Sequence, residues 1–539
     1  MLNWIDQRVP VRYMAFFATV ALWVLSALQL VVGQVSFLWV LLLTGLVVVG
    51  VHDLQQTRHA ILRNYPIIGH LRFLLEFIRP ELRQYFIEGD SDAVPFSRSQ
   101  RSLVYARAKG ESDKRPFGTQ VNVRAVGHEW LSHSINPSVI ESHDFRVHVG
   151  GSACQKPYDI SLFNISAMSF GALSANAIMA LNLGAKKGGF AHDTGEGSIS
   201  RYHREHGGDL IWEIGSGYFG CRNEDGTFNA EKFQKNALSP QVKMIEIKLS
   251  QGAKPGHGGV LPGPKVTPEI AEARGVSMGV DCVSPAAHSS FSTPTELLQF
   301  VKKLRELSEG KPVGFKLCIG HPWEWFGIAK AMHATGILPD FIVVDGAEGG
   351  TGAAPVEFTD YMGMPMLEAL RLVHNTLTGL QLRQHIRIGA SGKIISGFDV
   401  MRTLALGADW CNSARGFMFA LGCIQAQTCH TGNCPTGVTT QDPQRQIALV
   451  VPTKSDRVFN FHRNTLESVR EMLQATGLKQ ASDLKLSHIM RRLSETEVQN
   501  LAVLLPSLSS GDLLNDAKLE GLFQQYWSLA SPDHFNLQA

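Results

Sequence analysis

Three cysteines, Cys423, Cys429 and Cys434, fall within twelve residues of the stretch CIQAQTCHTGNCPTG. Thiols this close are metal ligands, a redox pair with a spare, or ordinary buried groups. The spacing Cys-x5-Cys-x4-Cys is too loose for a zinc knuckle and lacks the second pair of a zinc ribbon. A redox disulfide favours Cys-x-x-Cys, which does not occur in the chain. Three thiolates in a turn-rich segment closed by Pro435 suit an iron–sulfur cluster, and three ligands instead of four favour the 3Fe-4S type. Cys411 lies inside an apolar run and reads as a structural thiol rather than a fourth ligand. His430 either tunes the cluster or is a plain surface histidine. His203 and His206 have metal-like spacing but no carboxylate companion, and read as structural.

A second kind of chemistry resides in glycine-rich turns. GASGKIISG (Ser391, Gly392, Lys393) and SARGFMFALG (Arg415, Gly416) both set small residues before a helical pattern. Backbone N–H groups can face an anion there, so the pair points to a phosphate-bearing cofactor. In DGAEGGTGAAP, Gly346, Gly349, Gly350 and Gly352 let the backbone approach a flat ligand. Lys248 ends the run VKMIEIKLS, and a lysine facing an enclosed site is costly unless paired. Near the N1/O2 edge of a flavin it would stabilise the reduced ring.

These residues need a scaffold that gathers loops from distant parts of the chain. Eight short apolar runs, each ending in a Gly/Ser-rich turn and followed by a helical pattern, begin near residue 158: DISLFNIS, FAHDTGEG, LIWEIGSG, VKMIEIKLS, VGFKLCIG, FIVVDGAEGG, IRIGASG and ADWCNSARG. Buried parallel strands alternating with helices predict a (β/α)8 TIM barrel of the α/β class, with its site at the C-terminal ends of the strands. An open doubly wound sheet would favour G-x-G-x-x-G after its first strand, where AMSFGALS stands instead. The segment of some sixty residues from Gln251 to Lys311 is long for a connection, and such loops are commonly functional.

A net charge of +2 over 539 residues is too mild for a nucleic-acid surface. The eight cysteines are mostly scattered and read as reduced thiols. Two uncharged apolar runs, one ending at Val32 and one from Val35 to Val51, are separated by Gly33 and Gln34. With Arg8 and Arg12 before them and Arg58 and Arg63 after, they predict a transmembrane hairpin with both ends in the cytoplasm. The expected organisation is an anchor over 1–52, a connecting subdomain over 53–150, the barrel over 151–450 and a C-terminal helical extension over 451–539. The catalytic body then sits in the cytoplasm on the inner membrane.

The motifs ISAMSFGALS, DTGEGSISR, GSGYFG, IKLSQGAKPG, GGTGAAP and ALGCIQAQTCHTGNCPTGV, in this order, resemble the synthase domain of glutamate synthases, most closely the short FMN-binding glutamate synthase family proteins. The resemblance spans about residues 90–480. It implies FMN in the barrel, held by Ala167, Met168, Ser169, Lys248, Gly346, Gly349, Gly350, Thr351, Ser391, Gly392, Lys393, Arg415 and Gly416. It also implies a 3Fe-4S cluster on Cys423, Cys429 and Cys434, and reduction of 2-iminoglutarate, formed from 2-oxoglutarate and ammonia, to L-glutamate. Glu196 and Lys254 would contact the oxo or imino acid, with Gln251 beside them and Arg274 on a carboxylate. The chain begins MLNWIDQR, without the nucleophilic N-terminal cysteine of a glutaminase domain, and it has no nicotinamide fingerprint. An external donor, a ferredoxin or a reductase subunit, is therefore expected. His257 and Val260 stand where the family carries Glu and Gln, which leaves open a different oxo, imino or N-alkyl amino acid, or a non-catalytic electron-transfer subunit.

Overall fold

A computed structural model describes residues 11–56, 59–87, 89, 95–261, 263, 266–515 and 519–537. The chain divides into two compact units, residues 1–92 and 93–539.

In the first unit, helices α1 (Met14–Val31) and α2 (Phe37–Gln55) have mean hydropathies of 2.0 and 2.1, long and apolar enough to cross a membrane. Gly33, at φ +73°, turns the chain between them. Trp23 Nε1 donates to Thr44 Oγ1 at 2.8 Å, and Phe16 lies directly against Gly50, so the helices pack antiparallel as a hairpin. Asp53, fully buried at the end of α2, accepts from the Ile67 N–H at 2.9 Å and pairs with His70 Nε2 at 2.9 Å. A short helix, Ala60–Asn64, and a longer one, α3 (Gly69–Leu82), follow in the connecting stretch.

In the second unit the eight apolar runs all become strands of one closed parallel barrel. They are β1 (Phe163–Ile165), β2 (His192–Asp193), β3 (Leu210–Ile214), β4 (Val242–Lys248), β5 (Val313–Leu317), β6 (Phe341–Asp345), β7 (Arg387–Ser391) and β8 (Trp410–Ser413), with β8 pairing back onto β1. The first run, DISLFNIS, is divided. Its first three residues, with Tyr158 before them, form the strand Tyr158–Ser161, which pairs antiparallel with Arg146–Val149, and Val149 and Ile160 join Ala191, Ile211, Met244, Val343 and Trp410 in one apolar cluster.

Side chains alternate faces along a strand, so Ile211 and Glu213 share the inward face of β3, and Met244, Glu246 and Lys248 that of β4. The interior is therefore layered, apolar at the N-terminal end and charged above it. The segment expected as one long loop after β4 is largely ordered, with a short hairpin (Val260–Leu261 against Cys282–Val283) and helices at Pro268–Arg274 and Pro294–Leu307.

Beyond the barrel, the 25-residue helix Val451–Ala475 packs on the helix Ala175–Gly188, where Gly184 leaves room for Val458 and the Ser455 carbonyl. The C-terminal extension is not purely helical: Ile489–Arg492 and Val498–Asn500 form a sheet with Glu129–Leu131. Arg491 Nε donates to Glu129 at 2.8 Å, tying a segment before the barrel to one after it.

Candidate functional site

The loops at the C-terminal ends of the strands are held together by close backbone approaches. Gly195, at φ +64°, faces the turn after β1, where a Cβ would come within 2.7 Å of the Ser169 amide. Gly252, after β4, lies so close to the Gly346 carbonyl, after β6, that any side chain would collide with it. The Gly252 N–H also donates to Asp345 at 2.9 Å. The loops after β1, β2, β4 and β6 thus form one crown, which brings Ala167, Met168, Ser169, Glu196, Gln251 and Gly346 together.

A cavity of ≈ 30 Å³ opens in this crown, lined by Glu196, Lys248, Gln251, Lys254, His257 and Ser284 among others. Lys248 Nζ pairs with Glu196 at 2.7 Å, and both side chains are largely buried. Burial alone would raise the Glu196 carboxyl, but Lys248, by charge and hydrogen bond, with Arg274 and Lys254 adding, holds it at about 2. Lys254 is half-buried, and its pKa is lowered by burial, against the opposing pull of Glu196. His288, held by Tyr218 Oη at 3.1 Å and the Lys248 carbonyl at 2.9 Å, is pushed down to about 4 by burial. His288 and Ser284 belong to the surroundings of the site, and no sequence motif singles them out.

Arg274 is elsewhere. It is buried over the Phe219 ring at 5.1 Å and reaches the Phe170 carbonyl at 3.4 Å, so it acts on Glu196 by charge without lining the cavity. His257 lines the cavity, stacked edge-on against Phe358 at 5.3 Å.

On the far side of the crown, Arg415 donates to the Thr351 carbonyl at 3.1 Å and lies against Gly350, where a Cβ would meet its guanidinium at 3.2 Å. At the end of β7, Ser391 Oγ donates to Asp345; just beyond it Gly392 faces Met366, and Lys393 adopts φ +54° with its ammonium 5.9 Å from the Phe96 ring. Among the described residues the N–H groups of Gly392 and Lys393 have no hydrogen-bond acceptor. Two free N–H groups on consecutive residues, with cations nearby, fit a phosphate. Gly349 and Gly350, lacking Cβ, leave the space a flat ring system needs. The residues present therefore fit an FMN-type group.

The cysteine segment adjoins the same loop. Cys429 Cβ is 3.8 Å from where a Cβ of Gly352 would stand, and Tyr105 Oη donates to the Cys423 carbonyl at 2.6 Å. Burial pushes the Cys423 thiol up to about 11. Burial would also raise Cys434, but hydrogen bonds from Thr436 and Thr439 outweigh it and bring the thiol to about 7. Cys429 and Cys434 both act on the Cys423 thiol by charge, so the three groups are neighbours. Cys411 is buried in β8 and its Sγ faces the Val400 carbonyl, apart from this group.

Below the crown, Asp193, Glu213 and Glu246 converge, with carboxylate oxygens within 4.8 Å of one another. Lys316 pairs with Glu213 and lies 3.2 Å from Glu246. Burial raises Asp193 well above the usual carboxylate range and Glu246 to about 7, while the carboxylates keep Lys316 charged despite its burial. The runs that form these strands look apolar in sequence, and the charges set singly within them, Glu213, Glu246 and Lys316, are the signal that marks the layer.

Residues 135–479 match the family described as the conserved region in glutamate synthase. The chain belongs to the glutamate synthase family. It is 37% identical over 492 residues to the glutamate synthase large subunit-like protein YerD of Bacillus subtilis (strain 168), covering 84% of this chain and 93% of that one. It is 36% identical over 321 residues to the archaeal-type glutamate synthase (NADPH) of Thermotoga neapolitana, covering 59% of this chain and 60% of that one. The archaeal glutamate synthase (NADPH) of Methanocaldococcus jannaschii is 36% identical over 345 residues, with 63% and 64% covered. The chain thus spans under two thirds of these last two relatives, and is a glutamate synthase-like oxidoreductase.

Proposed function

We propose that this glutamate synthase-like protein is a membrane-anchored, FMN- and 3Fe-4S-dependent reductase that converts 2-iminoglutarate, from 2-oxoglutarate and ammonia, into L-glutamate. The observation that carries the reading is the loop after β6. Arg415 grips it at Thr351, Cys429 abuts it at Gly352, and Gly346 at its start touches the Gln251–Lys254 loop. One loop therefore links phosphate cradle, cysteine segment and substrate cavity. When bound, the flavin supplies the hydride and the cluster the single electrons that replenish it.

The chain's own residues do the rest. Glu196 stays ionised across the physiological range, so it acts as fixed negative charge beside a cationic iminium and not as a proton donor. Lys248 holds that carboxylate in place. Lys254, whose burial eases loss of its proton, is placed to bind a substrate carboxylate or to protonate the imine nitrogen. The cavity between these side chains, ≈ 30 Å³, has room for about two waters. Electrons come from an external carrier, a ferredoxin or reductase subunit, and the α1–α2 hairpin anchors the body to the cytoplasmic membrane.

Mixing the anaerobically reduced protein with 2-oxoglutarate and ammonia tests the reading. Flavin reoxidation with formation of L-glutamate is expected, and neither event under any ammonia concentration overturns it. A second reading, a different oxo, imino or N-alkyl amino acid, is favoured by one observation: His257 lines the cavity where the resembled family carries an acidic residue. A panel of oxo acids with ammonia or methylamine in the same assay distinguishes the two.

A further inference from the structure

A second and larger cavity, ≈ 440 Å³, opens on the flank of the barrel behind the Glu196 loop. Arg201 and Arg204 reach it from the short helix after β2, Arg222 from the turn after β3, and Lys232 and Lys235 from the helix Ala230–Ala237. Against these five cations stand Glu269 and Glu272. Glu269 is taken by Arg201. Arg204 donates to a neutral acceptor, Asn236 Oδ1, at 2.8 Å, and Lys232 to the Arg222 carbonyl at 2.8 Å. The Arg222 guanidinium leans on the Phe219 ring at 5.6 Å with Asp225 near enough to feel its charge, and among the described residues neither Arg222 nor Lys235 donates a side-chain hydrogen bond or closes an ion pair within 4.0 Å.

Five cations against two carboxylates leave the bowl net positive, so the surplus cations repel one another, and a bowl of this volume is of small-molecule size. A solvated surface face would spread such charges over a convex area. The arginine forks further favour the bidentate geometry of phosphate oxygens.

The cavity wall is also the back of the candidate active site. Glu196 lines the first cavity and Ser198, two residues on, lines the second. Ser198 is buried at φ +71°, its Oγ filling the place a Gly220 side chain would take, so the turn after β3 and the Glu196 loop cannot move independently. Gly275, directly after Arg274, forms part of the rim.

We infer that this cavity is a binding site for a small phosphate-bearing metabolite, and that occupancy steadies the 196–198 loop. Binding itself does not depend on the proposed reaction; only the consequence for turnover rests on that reading.

The test uses the full chain, with inorganic pyrophosphate as probe and citrate as the polycarboxylate comparison, by titration calorimetry at low salt. Pyrophosphate should bind the wild type, and Arg222→Ala with Lys235→Ala should weaken it about a hundredfold, roughly tenfold for each charge-assisted contact. Hydrogen exchange over residues 194–200 should slow with pyrophosphate in the wild type only. Absence of binding at millimolar pyrophosphate, undiminished binding by a folded double variant, or tighter binding of citrate each overturns the assignment. Unchanged exchange over 194–200 overturns the coupling to the loop. Because no readout involves turnover, failure here leaves the proposed reaction untouched, and failure of that reaction leaves this site standing.

Discussion

Lys248 and Glu196 form an ion pair at 2.7 Å across the mouth of the barrel, joining the end of β4 to the loop after β2. Each was expected at a different ligand, the lysine at a flavin edge and the glutamate at a substrate. Their pairing makes the charge of one depend on the other. Replacing Lys248 with Met leaves Glu196 buried without its main counter-charge, so its pKa rises from about 2 towards or past the ordinary range. The acid limb of the pH–rate profile should shift upward accordingly. A profile in the variant that overlays the wild type would remove Lys248 from control of Glu196. Lys248→Arg should restore much of the wild-type profile.

Lys254 is tested separately. Lys254→Ala should keep flavin content and cluster signal but slow flavin reoxidation by the imino acid about 10²-fold, the scale of losing one charge-stabilising group. Wild-type reoxidation in this variant would mean that Lys254 is only a loop cation.

The buried layer makes a prediction about stability. Lys316→Met strands Glu213 and Glu246 without a cation and should cost about 3–5 kcal/mol, read by denaturant unfolding, whereas Lys316→Met with Glu213→Gln should recover part of the loss. For Glu246 the folded pKa, about 7, lies above its ordinary value of 4.5. The folded state then holds a proton that the unfolded state has released, so stability falls as pH rises from 4.5 towards 7. Glu246→Gln should flatten that slope. Stability curves that superimpose would show that Glu246 does not titrate there.

Cysteine roles separate by iron content. Cys429→Ser should lower iron bound by anaerobically prepared protein and abolish a 3Fe-4S paramagnetic signal, while Cys411→Ala should leave both unchanged. Iron retained in full by Cys429→Ser would take that residue out of the ligand set.

Deleting residues 1–52 should release protein from the membrane fraction with its flavin retained, because the hairpin supplies none of the barrel's motifs. A folded truncated protein that still sediments with membranes would require another anchor.

The barrel was legible because parallel strands covered on both faces leave a recurrent mark, a short apolar run closed by Gly or Ser, and all eight runs carry it. The spacing of Cys423, Cys429 and Cys434 singles out their segment in the sequence, and the fold sets Cys429 beside Gly352. What the sequence concealed depends on which residues face one another. Glu246 and Lys248 look like interruptions of an apolar run until the pleat sends both inward, where one faces Lys316 and the other Glu196. Arg274 was expected on a substrate carboxylate, but the helix Pro268–Arg274 points it beneath Phe170, a contact set by tertiary packing. The split of DISLFNIS followed from a hairpin partner, Arg146–Val149, in a stretch with little strand signal of its own.

The barrel's staves are unequal. β2 contributes only His192 and Asp193, meeting β1 at one register position and β3 at two. A cylinder whose walls are otherwise well laced thus has a seam, and the seam lies directly below the loop that carries Glu196. The seam is nevertheless buried and bonded across, the Ile165, His192 and Thr194 amides donating to the carbonyls of Ala191, Asp209 and Ile211. The carboxylate that orders the mouth is therefore mounted on the shortest stave, and its position is set by those few bonds together with the close fit of Gly195 against the Ser169 amide.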